Sequence, residues 1–144
     1  MTAANGIIQA SAVAISGRGL LILGKPGAGK SSLTLALIDR GATLIGDDGV
    51  AITRQGDRVI ASPPPNIAGM VEIRNVGIIT LPTASAPLSL ILRLEQDAPR
   101  YTEAAEPYPI AGASVPSLGF FAGDVVQALR AEWALQVHGL PAID

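Results

Sequence analysis

One octapeptide near the N-terminus constrains the fold more than any other feature of this 144-residue chain. Residues 24–31 read Gly-Lys-Pro-Gly-Ala-Gly-Lys-Ser, which matches the phosphate-binding pattern G-x-x-x-x-G-K-[ST] at every fixed position. Its glycines let several backbone N–H groups converge on phosphate oxygens, and a helix that begins at the serine adds the positive end of its dipole. The pattern therefore predicts a nucleotide-binding loop (a P-loop, or Walker A motif) between a strand and a helix.

The sequence on both sides of the octapeptide supplies that strand and that helix. Leu20–Leu23 is a short, fully apolar run, typical of a buried central strand, and residues 31–39 predict a helix that ends before Gly41. An ordinary glycine-rich turn with a solvated lysine is the alternative, and this context disfavours it. Lys30 is expected to reach the β- and γ-phosphates of ATP, and the Ser31 hydroxyl to bind Mg²⁺. The residues predicted to contact the nucleotide are Gly24, Lys25, Pro26, Gly27, Ala28, Gly29, Lys30, Ser31 and Ser32.

The remaining pattern predicts one α/β domain over residues 1–144, because this length suits a single core. Further strands are predicted for residues 7–15, 43–45, 49–52, 59–61, 73–81 and 88–94. Residues 95–117 are rich in Pro, Ala and Glu and predict a long loop. A capping-box pattern at Asp124 predicts a C-terminal helix that Gly139 and Pro141 end. On that helix Val126, Leu129 and Trp133 share a face, which predicts core or interface.

Composition excludes several classes of function. The net charge is −2 and no Lys/Arg cluster occurs, so nothing supports nucleic-acid binding. Cysteine is absent and His138 is the single histidine, which leaves oxygen-ligated metals such as Mg²⁺. We expect His138 to complement a helix C-terminus rather than to perform chemistry. No apolar run is long enough for a membrane span and no signal peptide opens the chain, so a soluble cytoplasmic protein is expected.

Three carboxylates are candidates for the chemistry. Asp47 and Asp48 follow a predicted strand, where open α/β sheets place ligands, although a polar turn before a glycine is the alternative. Adjacent residues of an extended strand point to opposite faces, so one of the two is expected to face the γ-phosphate. Glu72 stands near Arg74, and pattern alone favours a surface ion pair. Arg74 itself is predicted either to contact phosphate or to pair with Glu72 or Glu95.

Taken together, these motifs resemble the catalytic domain of HPr kinase/phosphorylase. The similar features are an Ala-Ser-x-Val-Ala strand, the loop at residues 24–31, Leu-Ile-Gly-Asp-Asp at residues 44–48, and Glu-Ile-Arg-Asn-Val-Gly-Ile-Ile at residues 72–79. They occur in the family's order, with Asp48 eighteen positions after Lys30 and Glu72 forty-two after it. The resemblance covers roughly residues 7–81, and the combination is more specific than the phosphate-binding loop alone.

The resemblance implies a mixed α/β P-loop fold similar to phosphoenolpyruvate carboxykinase, with a C-terminal helix and assembly as a homo-oligomer, a hexamer in the family. It implies an ATP- and Mg²⁺-dependent protein-serine kinase that phosphorylates an HPr-like phosphocarrier and that also runs the reverse phosphorolysis. Ser31 and Glu72 would hold Mg²⁺. Asp48 would accept the serine proton and return it in reverse, and Asp47 would support the metal or the loop. The chain resembles the short branch that lacks an N-terminal domain.

The chain departs from the family pattern at three places. Gln9 stands where the family has histidine, and Asn75 where the family has glycine. No arginine occurs near residues 115–120, where the family has a catalytic one. These departures motivate a second hypothesis, a non-enzymatic ATP- or ADP-binding sensor that reports to a partner such as a sensor kinase. A third is a P-loop kinase whose acceptor is a small metabolite.

Overall fold

The computed structural model describes residues 6–143 and contains eleven strands and two helices in that range. In chain order these are β1 (Gly6–Ile8), β2 (Ser11–Ile15), β3 (Arg18–Leu23), α1 (Lys30–Asp39), β4 (Thr43–Gly46), β5 (Val50–Gln55), β6 (Arg58–Ser62), β7 (Met70–Ile73), β8 (Gly77–Thr80), β9 (Ala86–Leu94), β10 (Glu106–Ile110), β11 (Ala113–Phe120) and α2 (Gln127–His138). Neither helix in this part of the chain is long and apolar enough to cross a membrane.

Nine strands form one mixed sheet, as predicted, in the order β1-β5-β6-β9-β3-β2-β4, with β11 also beside β9 and β10 beside β11. Strand β9 is long enough to pair with two different strands along one side. Its first residues pair antiparallel with β6, and its last four pair parallel with β11 from Ser117 to Phe120. On its other side β9 pairs parallel with β3. The predicted combination of a mixed sheet with a C-terminal helix is therefore confirmed.

Two hydrophobic cores lie on opposite faces of this sheet because side chains alternate along its strands. On β3, Leu20 and Ile22 belong to the core beneath the helices, whereas Leu21 belongs to the core on the other face. The helix-side core includes Leu33 and Leu37 from α1 and two alanines and Leu135 from α2. Helix α1 spans Lys30–Asp39 and ends with Gly41 at φ 112°, as the sequence predicts.

The strand directions bring the candidate residues to one edge. Strand β2 runs antiparallel to both β3 and β4, so β3 and β4 point the same way, and β9 runs parallel to β3. Their carboxyl ends therefore share an edge of the sheet. The loop at residues 24–29 follows β3 there, and Asp47 and Asp48 follow β4.

Three predicted segments are wrong in detail. Residues 95–117 are not one long loop, because β10 and most of β11 form a hairpin in which Pro107 opposes Pro116. Strand β10 pairs only with β11, and such an edge strand tolerates prolines that cannot donate to a ladder. The predicted strand 73–81 is instead the β7–β8 hairpin with its turn at residues 74–76, and the strand 7–15 is divided into β1 and β2.

The buried face of α2 differs from the predicted one. Val126, Leu129 and Trp133 are exposed, with Trp133 at 59 %, so they are not core. The face against the sheet carries Ala128, Ala131 and Leu135, whose small alanines allow close approach. The helix also begins at Gln127 rather than at Asp124, since the Asp124 carboxylate accepts a hydrogen bond from the Val126 N–H and forms a turn before it.

This face assignment makes a prediction about stability. Leu135→Ala is expected to lower the free energy of unfolding by about 2–4 kcal/mol, because it removes a fully buried side chain and leaves a cavity. Trp133→Ala, on the same helix but facing solvent, is expected to cost less than about 1 kcal/mol. Urea denaturation of both variants measures the difference. Equal losses would contradict the packing of α2.

Candidate active site

The loop after β3 curls back and leads directly into α1. Gly29 is the N-cap residue of α1 and has φ 106°, a left-handed conformation that glycine adopts without strain. The Ala28 N–H donates to the Lys25 carbonyl at 3.0 Å, which closes the turn. The first N–H groups of α1 thus stand at the mouth of the loop, an arrangement that suits an anion.

Lys30 lies inside this curl. Its Nζ donates to the Gly24 carbonyl at 2.7 Å and to the Lys25 carbonyl at 3.1 Å, and the residue is only 9 % exposed. The Thr34 hydroxyl holds the Lys30 carbonyl from the next turn of α1 at 2.8 Å. The ammonium group is therefore held at the loop by two neutral carbonyls rather than by a carboxylate.

A hydroxyl–carboxylate cluster connects α1 with β4 and β2. The Ser31 Oγ donates to Asp47 Oδ1 at 2.8 Å, and the Ser11 Oγ donates to the same oxygen at 3.1 Å. Ser11 is fully buried at the start of β2. Asp47 consequently fixes the side chain of Ser31, the first residue after the loop lysine.

Asp48 occupies a tight turn rather than a strand. Its φ is 63°, and a Cβ added to Gly46 would overlap the Gly49 carbonyl oxygen, so the chain reverses sharply between the two glycines. The two aspartates were expected to point in different directions because they lie in an extended strand, and that reason is wrong. The turn itself separates them, since Asp47 bonds to Ser31 while Asp48 lines a cavity.

That cavity has a volume of about 890 Å³ and joins the loop to the β7–β8 hairpin. Its lining comes from Ser11, Pro26, Gly27, Gly29, Lys30, Ser31, Ser32, Leu35, Asp48, Glu72, Ile73, Arg74 and Asn75. The hairpin brings Glu72 and Arg74, and Asn75 at its turn has φ 68°, a conformation that asparagine tolerates well. One cavity thus gathers a lysine, an arginine, hydroxyls and two carboxylates around a helix N-terminus.

Comparison with known proteins identifies the family. A family model described as the HPr serine kinase C-terminal domain matches residues 2–86, more than half of the chain. The chain belongs to the HPr serine kinase family. The resemblance stated from the motifs is confirmed.

Individual relatives support the assignment of this chain to the HPr serine kinase family. The chain is 39 % identical over 104 residues to the HPr kinase/phosphorylase of an Exiguobacterium species, covering 66 % of this chain and 32 % of that protein. It is 48 % identical over 67 residues to the HPr kinase/phosphorylase of Clostridium botulinum, covering 46 % of this chain and 22 % of that protein. The chain thus spans about a third or less of the length of these curated relatives.

A solved structure extends the match beyond the family model. The HPr(Ser) kinase/phosphatase of Coxiella burnetii superposes with a TM-score of 0.79 at 26 % identity, covering 91 % of this chain and 89 % of that one. The α/β fold with its mixed sheet and C-terminal helix is therefore the fold of an HPr serine kinase.

Some predicted residues of the family site meet in the cavity and others do not. Gly24, Lys25, Ala28 and Asp47 do not line it. Gly24 and Lys25 contribute carbonyls that hold Lys30, and Asp47 holds Ser31. Gln9, at the family's histidine position, is exposed and outside the lining, whereas Ser11 two residues later belongs to it. Residues 115–120, at the family's arginine position, belong to β11.

Sequence reasoning missed two polar residues that support the loop. Ser11 anchors Asp47, and the buried Gln127 donates to the Ser32 Oγ at 3.4 Å while its Oε1 accepts from the Gly123 N–H at 2.8 Å. A serine inside an apolar strand was a usable signal for Ser11, because buried polar groups need partners. Gln127 gave no comparable signal, since it opens an amphipathic helix where glutamine is ordinary.

Proposed function

We propose that this chain is the catalytic part of an ATP- and Mg²⁺-dependent protein-serine kinase whose acceptor is an HPr-like phosphocarrier of the phosphotransferase system. A single observation carries the proposal: one cavity combines the loop lysine, the first hydroxyl of α1 and two carboxylates that are not adjacent in sequence. These residues are Lys30, Ser31, Asp48 and Glu72. The names of the relatives support the acceptor, and the family resemblance supports assembly as a homo-oligomer.

The nucleotide would be held by residues 24–32. Backbone N–H groups at the start of α1 and the dipole of that helix suit the phosphates. Lys30 already has its ammonium group at the loop, and it would exchange two neutral carbonyls for phosphate oxygens. A charge-assisted contact is stronger than a contact to a neutral carbonyl, so the exchange favours binding.

The donor atoms around Ser31 fit a magnesium ion, which prefers oxygen ligands and keeps several waters. Ser31 and Glu72 would hold the ion. Asp47 would orient the Ser31 hydroxyl through the bond at 2.8 Å, and Ser11 would fix Asp47 in turn. A bound Mg²⁺ would supply positive charge that offsets the negative charge of the phosphates.

Asp48 would act as the base. The acceptor serine loses its proton to the Asp48 carboxylate, and its oxygen forms a bond to the γ-phosphorus. The bond from that phosphorus to the bridging β–γ oxygen breaks, and ADP leaves with the electron pair. In the reverse phosphorolysis, an oxygen of inorganic phosphate would form a bond to the phosphorus of the phosphoserine, and the bond from that phosphorus to the serine oxygen would break. Asp48 would pass the proton that the attacking phosphate gives up to the serine oxygen, and pyrophosphate would be the product.

A transfer assay tests the proposal. The chain is incubated with Mg²⁺, ATP labelled in the γ-phosphate and a purified HPr-like phosphocarrier, and we expect label on the carrier. A carrier whose acceptor serine is replaced by alanine is the matched control and is expected to stay unlabelled. Label that is equal on both carriers, or absent from both, would contradict the proposal.

The sensor hypothesis is the second candidate, and a specific feature favours it. Residues 115–120 hold no cation where the family has its catalytic arginine, and Gln9 cannot titrate. Loss of a charge clamp lowers the rate of phosphoryl transfer by orders of magnitude while leaving nucleotide binding possible. Tight Mg²⁺-dependent binding of ATP or ADP without labelling of any carrier would identify a sensor, with a sensor kinase as the expected partner.

A further inference from the structure

Arg74 is the one cavity-lining cation other than Lys30 in the described part of the chain. It stands at the turn of the β7–β8 hairpin, two residues after Glu72. The turn is held by the hydrogen bond from the Val76 N–H to the Ile73 carbonyl at 3.0 Å. The hairpin therefore presents a guanidinium group and a carboxylate to the same cavity.

Within residues 6–143, the guanidinium of Arg74 makes no hydrogen bond or ion pair. Six of the eight arginines in the chain donate hydrogen bonds or form ion pairs, and within residues 6–143 only Arg74 and Arg100 do neither. The alternative in which Arg74 pairs with Glu72 or Glu95 is not observed among the described residues, and Glu95 instead pairs with Arg93 at 2.7 Å. Arg74 is thus an exposed cation at the cavity that no hydrogen bond or ion pair holds within the described part of the fold.

The other arginine near this edge of the sheet is already engaged. Arg93, close to the end of β9, contacts Glu95 at 2.7 Å, Glu106 at 3.5 Å and the Ser117 Oγ at 3.4 Å. It does not line the cavity. Releasing it would leave two carboxylates without their cation, so Arg93 is a poor source of positive charge for a ligand.

We propose that Arg74 clamps the transferring phosphoryl group and supplies the positive charge that the family places on its later arginine. This inference rests on the proposed function. Negative charge on the equatorial oxygens of the γ-phosphoryl group needs a fixed cation beside it in the transition state. The planar guanidinium matches two of those oxygens at once, which an ammonium group does not. Arg74 therefore touches the reacting group and is a catalytic residue.

The test measures binding of a transition-state mimic, so that it needs no acceptor. Calorimetry with Mg²⁺ compares the affinity for ADP alone with the affinity for ADP plus fluoroaluminate, which occupies the place of the transferring phosphoryl group. In wild type we expect fluoroaluminate to tighten ADP binding. Arg74→Gln is expected to lose about a hundredfold of that tightening and to keep its affinity for ADP within threefold. Arg74→Lys is expected to recover part of it.

Arg100→Gln is the matched control, because Arg100 is also unpartnered but lies away from this cavity, and it is expected to behave as wild type. Full tightening in Arg74→Gln would overturn the clamp and leave the kinase proposal standing. Wild type that binds ADP without tightening would also overturn the clamp. Wild type that binds no nucleotide would overturn the proposed function and the clamp together.

Discussion

Lys30→Met is expected to weaken binding of Mg²⁺-ATP and of ADP by about a hundredfold or more, which calorimetry will measure directly. Methionine keeps the length and the apolar stem of a side chain that is only 9 % exposed, so the fold is preserved. What it removes is the ammonium group that contacts the Gly24 and Lys25 carbonyls. The other lysine of the loop, Lys25, is exposed and does not line the cavity, so it does not replace the lost charge.

The control for this variant is Arg100→Ala, which also removes one positive charge, but an exposed one outside the cavity. Its nucleotide affinity is expected to equal that of wild type. Urea denaturation of both variants separates a binding defect from a folding defect. If Lys30→Met binds as tightly as wild type, residues 24–32 are not the nucleotide site, and the kinase and sensor hypotheses both fail.

Asp48→Asn is expected to lower the rate of phosphoryl transfer to the carrier by about 10²–10⁴-fold and to leave ATP affinity nearly unchanged. Asparagine is chosen because it tolerates the left-handed conformation at φ 63° better than alanine does, so the turn after β4 keeps its shape. The variant therefore removes only the proton acceptor. Single-turnover labelling of the carrier measures the rate of transfer.

Asp57→Asn gives the matched control, since Asp57 is an exposed aspartate in the β5–β6 turn and outside the cavity. It is expected to transfer at the wild-type rate. A transfer rate of Asp48→Asn within threefold of wild type would exclude Asp48 as the base. Loss of ATP binding in the same variant would instead assign Asp48 to the nucleotide.

Local sequence patterns predict the central strand and helix of the fold, but they do not predict the strands at the edge of the sheet. The apolar run Leu20–Leu23 and the helix that ends at Gly41 are determined by neighbouring residues, so periodicity and capping predict them. The β10–β11 hairpin depends on β9 offering an edge to β11, a contact between segments far apart in the chain. Composition indicated a loop there because a strand tolerates prolines at the edge of a sheet, and composition does not reveal which segment lies at the edge.

The candidate site was predictable as a set of residues but not as an arrangement. Motif spacing and the family resemblance selected Lys30, Ser31, Asp48 and Glu72, and all four line one cavity. The separate orientations of Asp47 and Asp48 depend on a reversal between Gly46 and Gly49 that a strand pattern does not reveal. The unpartnered state of Arg74 could not be predicted either, because the alternatives depend on where Glu95 lies.

The β7–β8 hairpin forms a two-stranded sheet of its own, apart from the nine-stranded sheet that carries the loop and the two aspartates. In the proposed function, binding of the nucleotide and completion of the reactive centre would therefore depend on two separate sheets. Substitutions in the hairpin would then change the rate of transfer while the affinity for nucleotide stays constant. One scaffold of this kind would suit both a fast enzyme and a silent receptor.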